Sequence, residues 1–309
     1  MGTLGVGFVG LGGIARSRHL PGFRGLPDVE VRAVATSSPG SARRTADELG
    51  IPRVHDRWET LVADPAIDLV VVATWPDLHV PVTLAALAAG KDVLCQARLA
   101  MDHAGAVDVR DALAAHPGRV AMVVPSPFSL WCDATIARLV AEGTLGAVRS
   151  VRMTSSSGQT AADPWRRLRR HSGGNTLALG ILYEALIRWL PDATAVTATG
   201  SLAHPVVRWP DGRTELADVP DHLVAVAELP GGILATIDCA STSRPEPDGV
   251  TIAGDAGSLV VTWDPRSIAL HRPGHAPVSV EVPAAERREW AVEAEIVADR
   301  KSTRLNSSH

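Results

Sequence analysis

The sequence predicts an α/β chain: a parallel sheet with helices on both faces over residues 1–125, followed by an α+β domain with a mostly antiparallel sheet. Three observations lead there. Short apolar runs alternate with helix-like segments through the first 125 residues. The first of these runs breaks into a glycine-rich turn. Beyond about residue 126 helices become few, and closely spaced strand patterns separated by Pro/Gly turns take over.

The opening stretch, Gly5-Val-Gly-Phe-Val-Gly-Leu-Gly-Gly-Ile-Ala-Arg16, is an apolar strand pattern that breaks at Gly10, Gly12 and Gly13 and continues through Ile14 and Ala15 into a helix-like segment. A dinucleotide-binding Rossmann fold has this order of strand, turn and helix. Gly10 allows the sharp turn, Gly12 lets the backbone approach a pyrophosphate, and Ala15 keeps the helix close to the strand. The N–H groups and positive dipole end of the helix would face the phosphates. Glycine also serves such junctions for purely steric reasons, so the turn alone leaves both readings open.

The elements that follow keep the alternation. Asp28 to Thr36 reads as a strand, and Ser41 to Leu49 as a helix stopped by Gly50. Asp68 to Ala73 is a short continuous apolar run, the pattern of a strand covered on both faces. Leu78 to Ala89 is a helix ending at Gly90, Asp92 to Cys95 a strand, His103 to Ala115 a helix, and Arg119 to Val124 a strand closed by Pro125, where the domain boundary is placed.

In the second half, residues 126–300, a helix from Cys132 to Glu142 leads to a strand, Val148 to Ser155, and a long helix runs from about Thr176 to Leu190. Strand patterns follow at Ala195–Ser201, Leu223–Leu229, Ile233–Cys239, Val250–Ala253, Ser258–Trp263, Ser267–His271 and Val278–Val282, with turns such as Pro210-Asp211-Gly212 between them. The last nine residues, Lys301 to His309, are polar and aperiodic. They read as a non-native-looking tail that cuts off a helix begun at Ala284.

Composition narrows the function. The 309 residues suffice for two domains, and 46% hydrophobic with 21% charged residues is the balance of a globular protein. A net charge of -4 without a Lys/Arg stripe argues against nucleic acid. Cys95, Cys132 and Cys239 are widely separated and show neither metal-ligand spacing nor a secretory framework, so the reading is cytoplasmic with no metal. No apolar run approaches a membrane span.

An acidic residue at the end of the second strand would receive the ribose hydroxyls of NAD; this chain has Thr36-Ser37-Ser38 there, with Arg43 and Arg44 soon after. Hydroxyls and guanidinium groups suit a 2′-phosphate, so NADP is the expected cofactor, with NAD as the alternative. Ser37 and Ser38 would equally cap the following helix, and both roles can hold together. Thr74, Trp75 and His79, after the apolar strand, lie where ligands meet the carboxyl ends of parallel strands; the alternative for His79 is a structural hydrogen bond.

Further landmarks follow in order: Gly-Leu-Gly-Gly-Ile-Ala at residues 10–15, Trp-Pro-Asp-Leu-His at 75–79, Ala-Ala-Gly-Lys-Asp-Val-Leu-Cys at 88–95, Ala-Glu-Gly-Thr-Leu-Gly at 141–146, and Ser172-Gly-Gly174 before a helix ending Arg188-Trp-Leu190. Over roughly residues 3–298 the chain resembles the glucose-fructose oxidoreductase, inositol dehydrogenase and MocA (Gfo/Idh/MocA) oxidoreductases. The resemblance implies an N-terminal Rossmann domain, a C-terminal α+β domain with an open sheet that forms homo-oligomers, and hydride transfer between a nicotinamide cofactor and a small sugar-like hydroxyl or carbonyl substrate.

The departures concern chemistry. Where such proteins carry Glu-Lys-Pro this chain has Gln96-Ala97-Arg98, so the lysine position holds alanine and Gln96 joins the residues expected beside the cofactor. In the long helix Leu182 and Ala185 stand where a histidine and an aspartate are expected. Two explanations compete. In one the site is rebuilt: Tyr183 transfers the proton, made acidic enough by a neighbouring cation, and Arg98 supplies that charge or anchors substrate, with Glu184 the next candidate. In the other the fold binds nucleotide without catalysis, as a regulator or partner subunit. Trp165-Arg-Arg-Leu-Arg-Arg-His171 is a basic cluster in which Arg170 or His171 would hold an anionic substrate group, or which is simply solvated.

Overall fold

The computed structural model describes residues 2–156, 163–174, 178–241 and 247–306. They fall into two compact units. The first comprises the chain up to Pro125 together with Arg170–Gly173 and the stretch from Ala291 onward; the second comprises Ser126–Arg169 and Gly174–Trp290.

The first unit is built on six parallel strands in the order β3-β2-β1-β4-β5-β6. These are β1 (Leu4–Val9), β2 (Val29–Ala35), β3 (Arg53–His55), β4 (Leu69–Val72), β5 (Asp92–Cys95) and β6 (Ala121–Val123). Every residue of β1, β4 and β5 is buried, as in strands covered on both faces; the one charge among them, Asp92, is paired with Arg300. The helices are α1 (Leu20–Arg24), entered through a π-helical segment at Ala15–His19, then α2 (Pro39–Leu49), α3 (Trp58–Ala63), α4 (His79–Ala88) and α5 (His103–Ala114). On one face of β1 Phe8 meets Phe23 of α1 edge to face at 6.2 Å, both rings fully buried. On one side of the sheet Val9, Val70, Val72 and Val93 pack with Leu61, Val82 and Leu87.

Two elements escaped the sequence reading. β3 has only three residues, and α3 only six with no side-chain cap, too short for a periodic pattern. The C-terminal part needs correction. Pro283 to Ala291 is not helical; Glu286 there accepts hydrogen bonds from Thr135 and Arg138. The last helix spans Val292–Asn306, so residues 301–306 continue it where the sequence predicted a break. Polar, solvated residues are tolerated in a helix whose other face is anchored. Arg300 pairs with Asp92 at 2.6 Å and Asp68 at 3.2 Å, and Glu293 accepts from His19 Nδ1 at 2.5 Å. Residues 307–309 lie outside the described residues.

In the second unit the described strands form an eight-stranded sheet, ordered β16-β15-β14-β13-β7-β12-β11-β8. They are β7 (Val148–Ser156), β8 (Ala195–Ser201), β11 (His222–Leu229), β12 (Ile233–Ala240), β13 (Gly249–Gly254), β14 (Ser258–Trp263), β15 (Arg266–His271) and β16 (Val278–Ser279). Each pairing is antiparallel except β7 with β12. A short hairpin, β9 (Val206–Arg208) with β10 (Thr214–Leu216), surrounds the turn at Pro210-Asp211-Gly212; three residues a side gave no strand signal. Helices α6 (Asp133–Ala141) and α7 (Leu179–Ile187) contribute Ile136, Leu139, Leu182, Ala185 and Leu186 to one core with Met153, Ile237, Ile252 and Leu259 of the sheet. The first residues predicted for the long helix, Thr176 and Leu177, lie outside the described residues. Every residue of β8 is exposed, and Val226 and Leu234 point away from the core.

Replacing Phe8 by alanine should lower the stability of the first unit by about 3–5 kcal/mol, because a fully buried ring is lost and the parallel sheet cannot close over the space. Urea unfolding followed by circular dichroism reads this as an earlier midpoint.

Candidate active site

The strand order reverses between β1, which leads to β2 on one side, and β4 on the other. In open α/β sheets ligands bind at such a switch point, outside the carboxyl ends of the strands. Gly10 ends β1 there. Its φ is +78°, and a Cβ at this residue would lie 2.6 Å from the Ala73 carbonyl oxygen and 2.9 Å from the Thr74 nitrogen. Only glycine satisfies both conditions. The Gly10 N–H donates to the Ala35 carbonyl at 2.8 Å, so the turn is tied to the end of β2 as well.

Gly12 and Gly13 differ from Gly10: both are exposed, and a Cβ on either would meet nothing within 4 Å. They leave open the space that a pyrophosphate would fill, beside the exposed Ile14 and above the buried Ala15. Arg16 N–H donates to the Gly12 carbonyl at 3.0 Å. The first N–H groups of a helix have no intrahelical acceptor, which makes this turn a place for anions. The Arg16 side chain bonds the Leu11 carbonyl at 3.1 Å and Glu48 at 2.7 Å and braces the turn against α2. The residues present therefore fit a dinucleotide.

After β2, Ser38 is extended and its Oγ accepts the Ser41 N–H at 3.2 Å, so Ser38 caps α2. Ser37, Arg43 and Arg44 are exposed around the same helix start.

After β4, Thr74 Oγ1 donates to the Trp75 carbonyl at 2.9 Å, and Trp75 is 40% exposed. His79 is buried, its Nδ1 2.5 Å from the Arg98 carbonyl and its Nε2 3.1 Å from the Thr74 carbonyl. Burial lowers its pKa against the pull of those two carbonyls. With its two ring nitrogens facing carbonyls of the segments after β4 and β5, His79 is a structural tether between them. Asp77, to which the sequence gave no role, accepts from His171 Nδ1 at 2.9 Å, and the His171 ring meets Trp75 edge-on at 4.8 Å. The partners are 94 residues apart in sequence, and nothing local signals the pair.

After β5, the Gln96 amide nitrogen donates to His19 Nε2, whose ring is in turn held by Glu293. His19 and Glu293, both buried, were missed because 274 residues separate them. Ala97 and Arg98 follow, half-buried. Burial pushes the Cys95 thiol at the end of β5 up to about 12, which leaves it unreactive. Among the described residues, no group of three or more His, Cys, Asp or Glu side chains could hold a metal ion.

In the second unit the expected proton-transfer residue has the opposite environment to the one predicted. The Tyr183 hydroxyl donates to Asp192 at 2.5 Å and accepts the Ala193 N–H at 3.1 Å. Its hydrogen bond to Asp192 raises the phenol's pKa, so an anion, not a cation, is its partner. Glu184 accepts the Ser126 N–H at 2.9 Å and pairs with Arg188, which also reaches Asp133 at 2.6 Å. Burial opposes the charge on Arg188, but Asp133 and Glu184 outweigh it and raise its pKa. Leu182 and Ala185 are fully buried in the hydrophobic core.

Family models match both parts of the chain. Residues 4–124 match the oxidoreductase family with an NAD-binding Rossmann fold, and residues 134–260 match the GFO/IDH/MocA C-terminal domain. The chain belongs to the Gfo/Idh/MocA oxidoreductases. Among curated members of this family, trans-1,2-dihydrobenzene-1,2-diol dehydrogenase of Mus musculus is 25% identical over 255 residues, covering 80% of this chain and 72% of the mouse protein. Levoglucosan dehydrogenase of Pseudarthrobacter phenanthrenivorans is 24% identical over 297 residues, covering 86% of this chain and 75% of that protein. Among solved Gfo/Idh/MocA structures, levoglucosan dehydrogenase in complex with NADH and L-sorbose superposes with a TM-score of 0.81 at 20% identity, over 100% of this chain and 90% of that one. That likeness extends the fold to the second unit's open sheet.

Tyr183 is the chain's single tyrosine, so ultraviolet titration reads it without assignment. Its ionisation should begin above the ordinary phenol value of about 10, and Asp192→Asn should bring it down, since the carboxylate that favours the neutral phenol is removed.

Proposed function

We propose that the chain is an NADP-dependent oxidoreductase, with NAD as the alternative cofactor, acting on a secondary alcohol or carbonyl carbon of a small sugar-like substrate in the cytoplasm. The observation that carries this is the turn from Gly10 to Ala15, shaped for close backbone approach and set at the β1/β4 switch point. The sugar and diol substrates in the names of the two curated relatives support the substrate class.

In this reading Gly10, Gly12, Gly13, Ile14 and Ala15 receive the pyrophosphate, and Ser37, Ser38 and Arg43 surround the adenosine ribose with its 2′-phosphate. Thr74, Trp75 and Gln96 line the nicotinamide end, with His79 fixing the backbone around them. When bound, the nicotinamide supplies the hydride-accepting or hydride-donating carbon. Arg98 anchors the substrate's oxygen atoms. Tyr183 transfers a proton only if its hydroxyl leaves Asp192. The exposed strand β8 and the outward-facing Val226 and Leu234 support homo-oligomers formed through the open sheet.

A second reading, a nucleotide-binding subunit without turnover, is favoured by one observation: Leu182 and Ala185 bury aliphatic side chains where relatives are expected to carry acid/base groups. Fluorescence titration of NADPH and NADH, then absorbance assays with levoglucosan and 1,5-anhydro-D-fructose, separates the two. Binding with turnover is the expected result. Binding without turnover on a broad polyol and sugar panel supports the second reading, and no binding of either cofactor defeats both. Arg43→Ala should weaken NADPH about tenfold, the loss of one charge-assisted phosphate contact, and leave NADH nearly unchanged.

A further inference from the structure

We propose that His171 is the proton acceptor for alcohol oxidation, oriented by Asp77 and seated against Trp75. The proposal rests on the oxidoreductase reading and supplies the acid/base group that Ala97, Leu182 and Ala185 do not.

The placement comes first. β4 ends at Val72, and the chain runs through Thr74 and Trp75 into the turn Pro76–Leu78 that carries Asp77. This is the strand end that Gly10 touches, so Asp77 and Trp75 border the same switch point as the phosphate turn. His171 belongs to the same compact unit and is brought to that edge. Its ring stands edge-on to Trp75 at 4.8 Å, with 60° between the planes.

The hydrogen bonds then set the ring's chemistry. Asp77 accepts from Nδ1 at 2.9 Å, which places the proton of a neutral imidazole on Nδ1 and leaves Nε2 as the accepting nitrogen. Arg170 Nε donates to that Nε2 at 3.2 Å. A substrate hydroxyl is a donor of the same kind, and takes the same lone pair when it displaces Arg170. The other carboxylate oxygen of Asp77 is buried and has no hydrogen-bond partner among the described residues, so the imidazole is the group this carboxylate holds. A base with one nitrogen fixed by a carboxylate and the other facing a displaceable donor is the arrangement that general-base catalysis needs.

In the oxidising direction the substrate O–H breaks and its proton passes to His171 Nε2. The carbinol C–H breaks and leaves with its electron pair as hydride to the oxidised nicotinamide. The C–O single bond becomes a carbonyl. Imidazolium and reduced cofactor are the other products.

The first test uses the whole chain with histidine labelled at Cε1, the His171 resonance being assigned by its absence in His171→Gln. Saturating NADP+, and separately NAD+, should shift the His171 resonance and leave those of His116 and His275 in place. A cofactor that binds by fluorescence and leaves His171 unmoved overturns the proposal alone. Failure of both cofactors to bind overturns the oxidoreductase reading, and this proposal with it. The second test is turnover of levoglucosan and 1,5-anhydro-D-fructose. His171→Gln should lose about 100-fold or more in kcat with cofactor affinity retained, and added imidazole should restore part of the rate in His171→Gly. Full activity in His171→Gln overturns the proposal; if neither compound turns over, the resonance measurement decides.

Discussion

The contact on which the rest depends is the approach of Gly10 to the carbonyl of Ala73. Two parallel strands whose next strands lie on opposite sides, β2 beside β1 and β5 beside β4, are held at their carboxyl ends with no room for a Cβ between them. That closeness puts the glycine turn and the Thr74-Trp75 segment on one edge. The hydrogen bond from Gly10 to Ala35 brings the end of β2 to the same edge, and with it Ser37, Ser38 and the start of α2. A larger residue at position 10 would have to separate these strand ends, and the features assigned to phosphate, ribose and nicotinamide would move apart together.

A second set of contacts secures the edge from behind. Glu293 on the last helix holds His19, and His19 receives Gln96 from the end of β5. Arg300 on the same helix reaches Asp92 and Asp68 at the opposite ends of β5 and β4. His19, Glu293 and Asp92 are buried and Arg300 nearly so, and each of these is matched, as burial demands. The last helix thus orients a residue beside the candidate site while contacting it through two intermediaries.

Most of the architecture was legible because it is written in local pattern. The continuous apolar run at Leu69–Val72 marked a doubly covered strand, and Gly50 and Gly90 marked helix ends. The glycine turn after β1 was legible for the same reason, since its glycines are close together in sequence. What failed was non-local. The pairings of Asp77 with His171 and of His19 with Glu293 join residues 94 and 274 positions apart, and no local pattern signals either pairing. The anionic partner of Tyr183 was hidden differently: Asp192 is only nine residues away, yet the helix end that brings the two together cannot be read from their spacing. The polar run from Lys301 carries no apolar periodicity, yet its first residues continue the helix that Glu293 and Arg300 tie to the first unit.

The central claim is that the Gly10–Ala15 backbone receives the cofactor's phosphates. Amide hydrogen exchange across residues 10–16, with and without saturating NADPH, tests it most directly. Exchange should slow at Gly12, Gly13, Ile14 and Ala15 when the cofactor binds. Unchanged exchange there, with NADPH bound by an independent fluorescence measurement, would contradict the account.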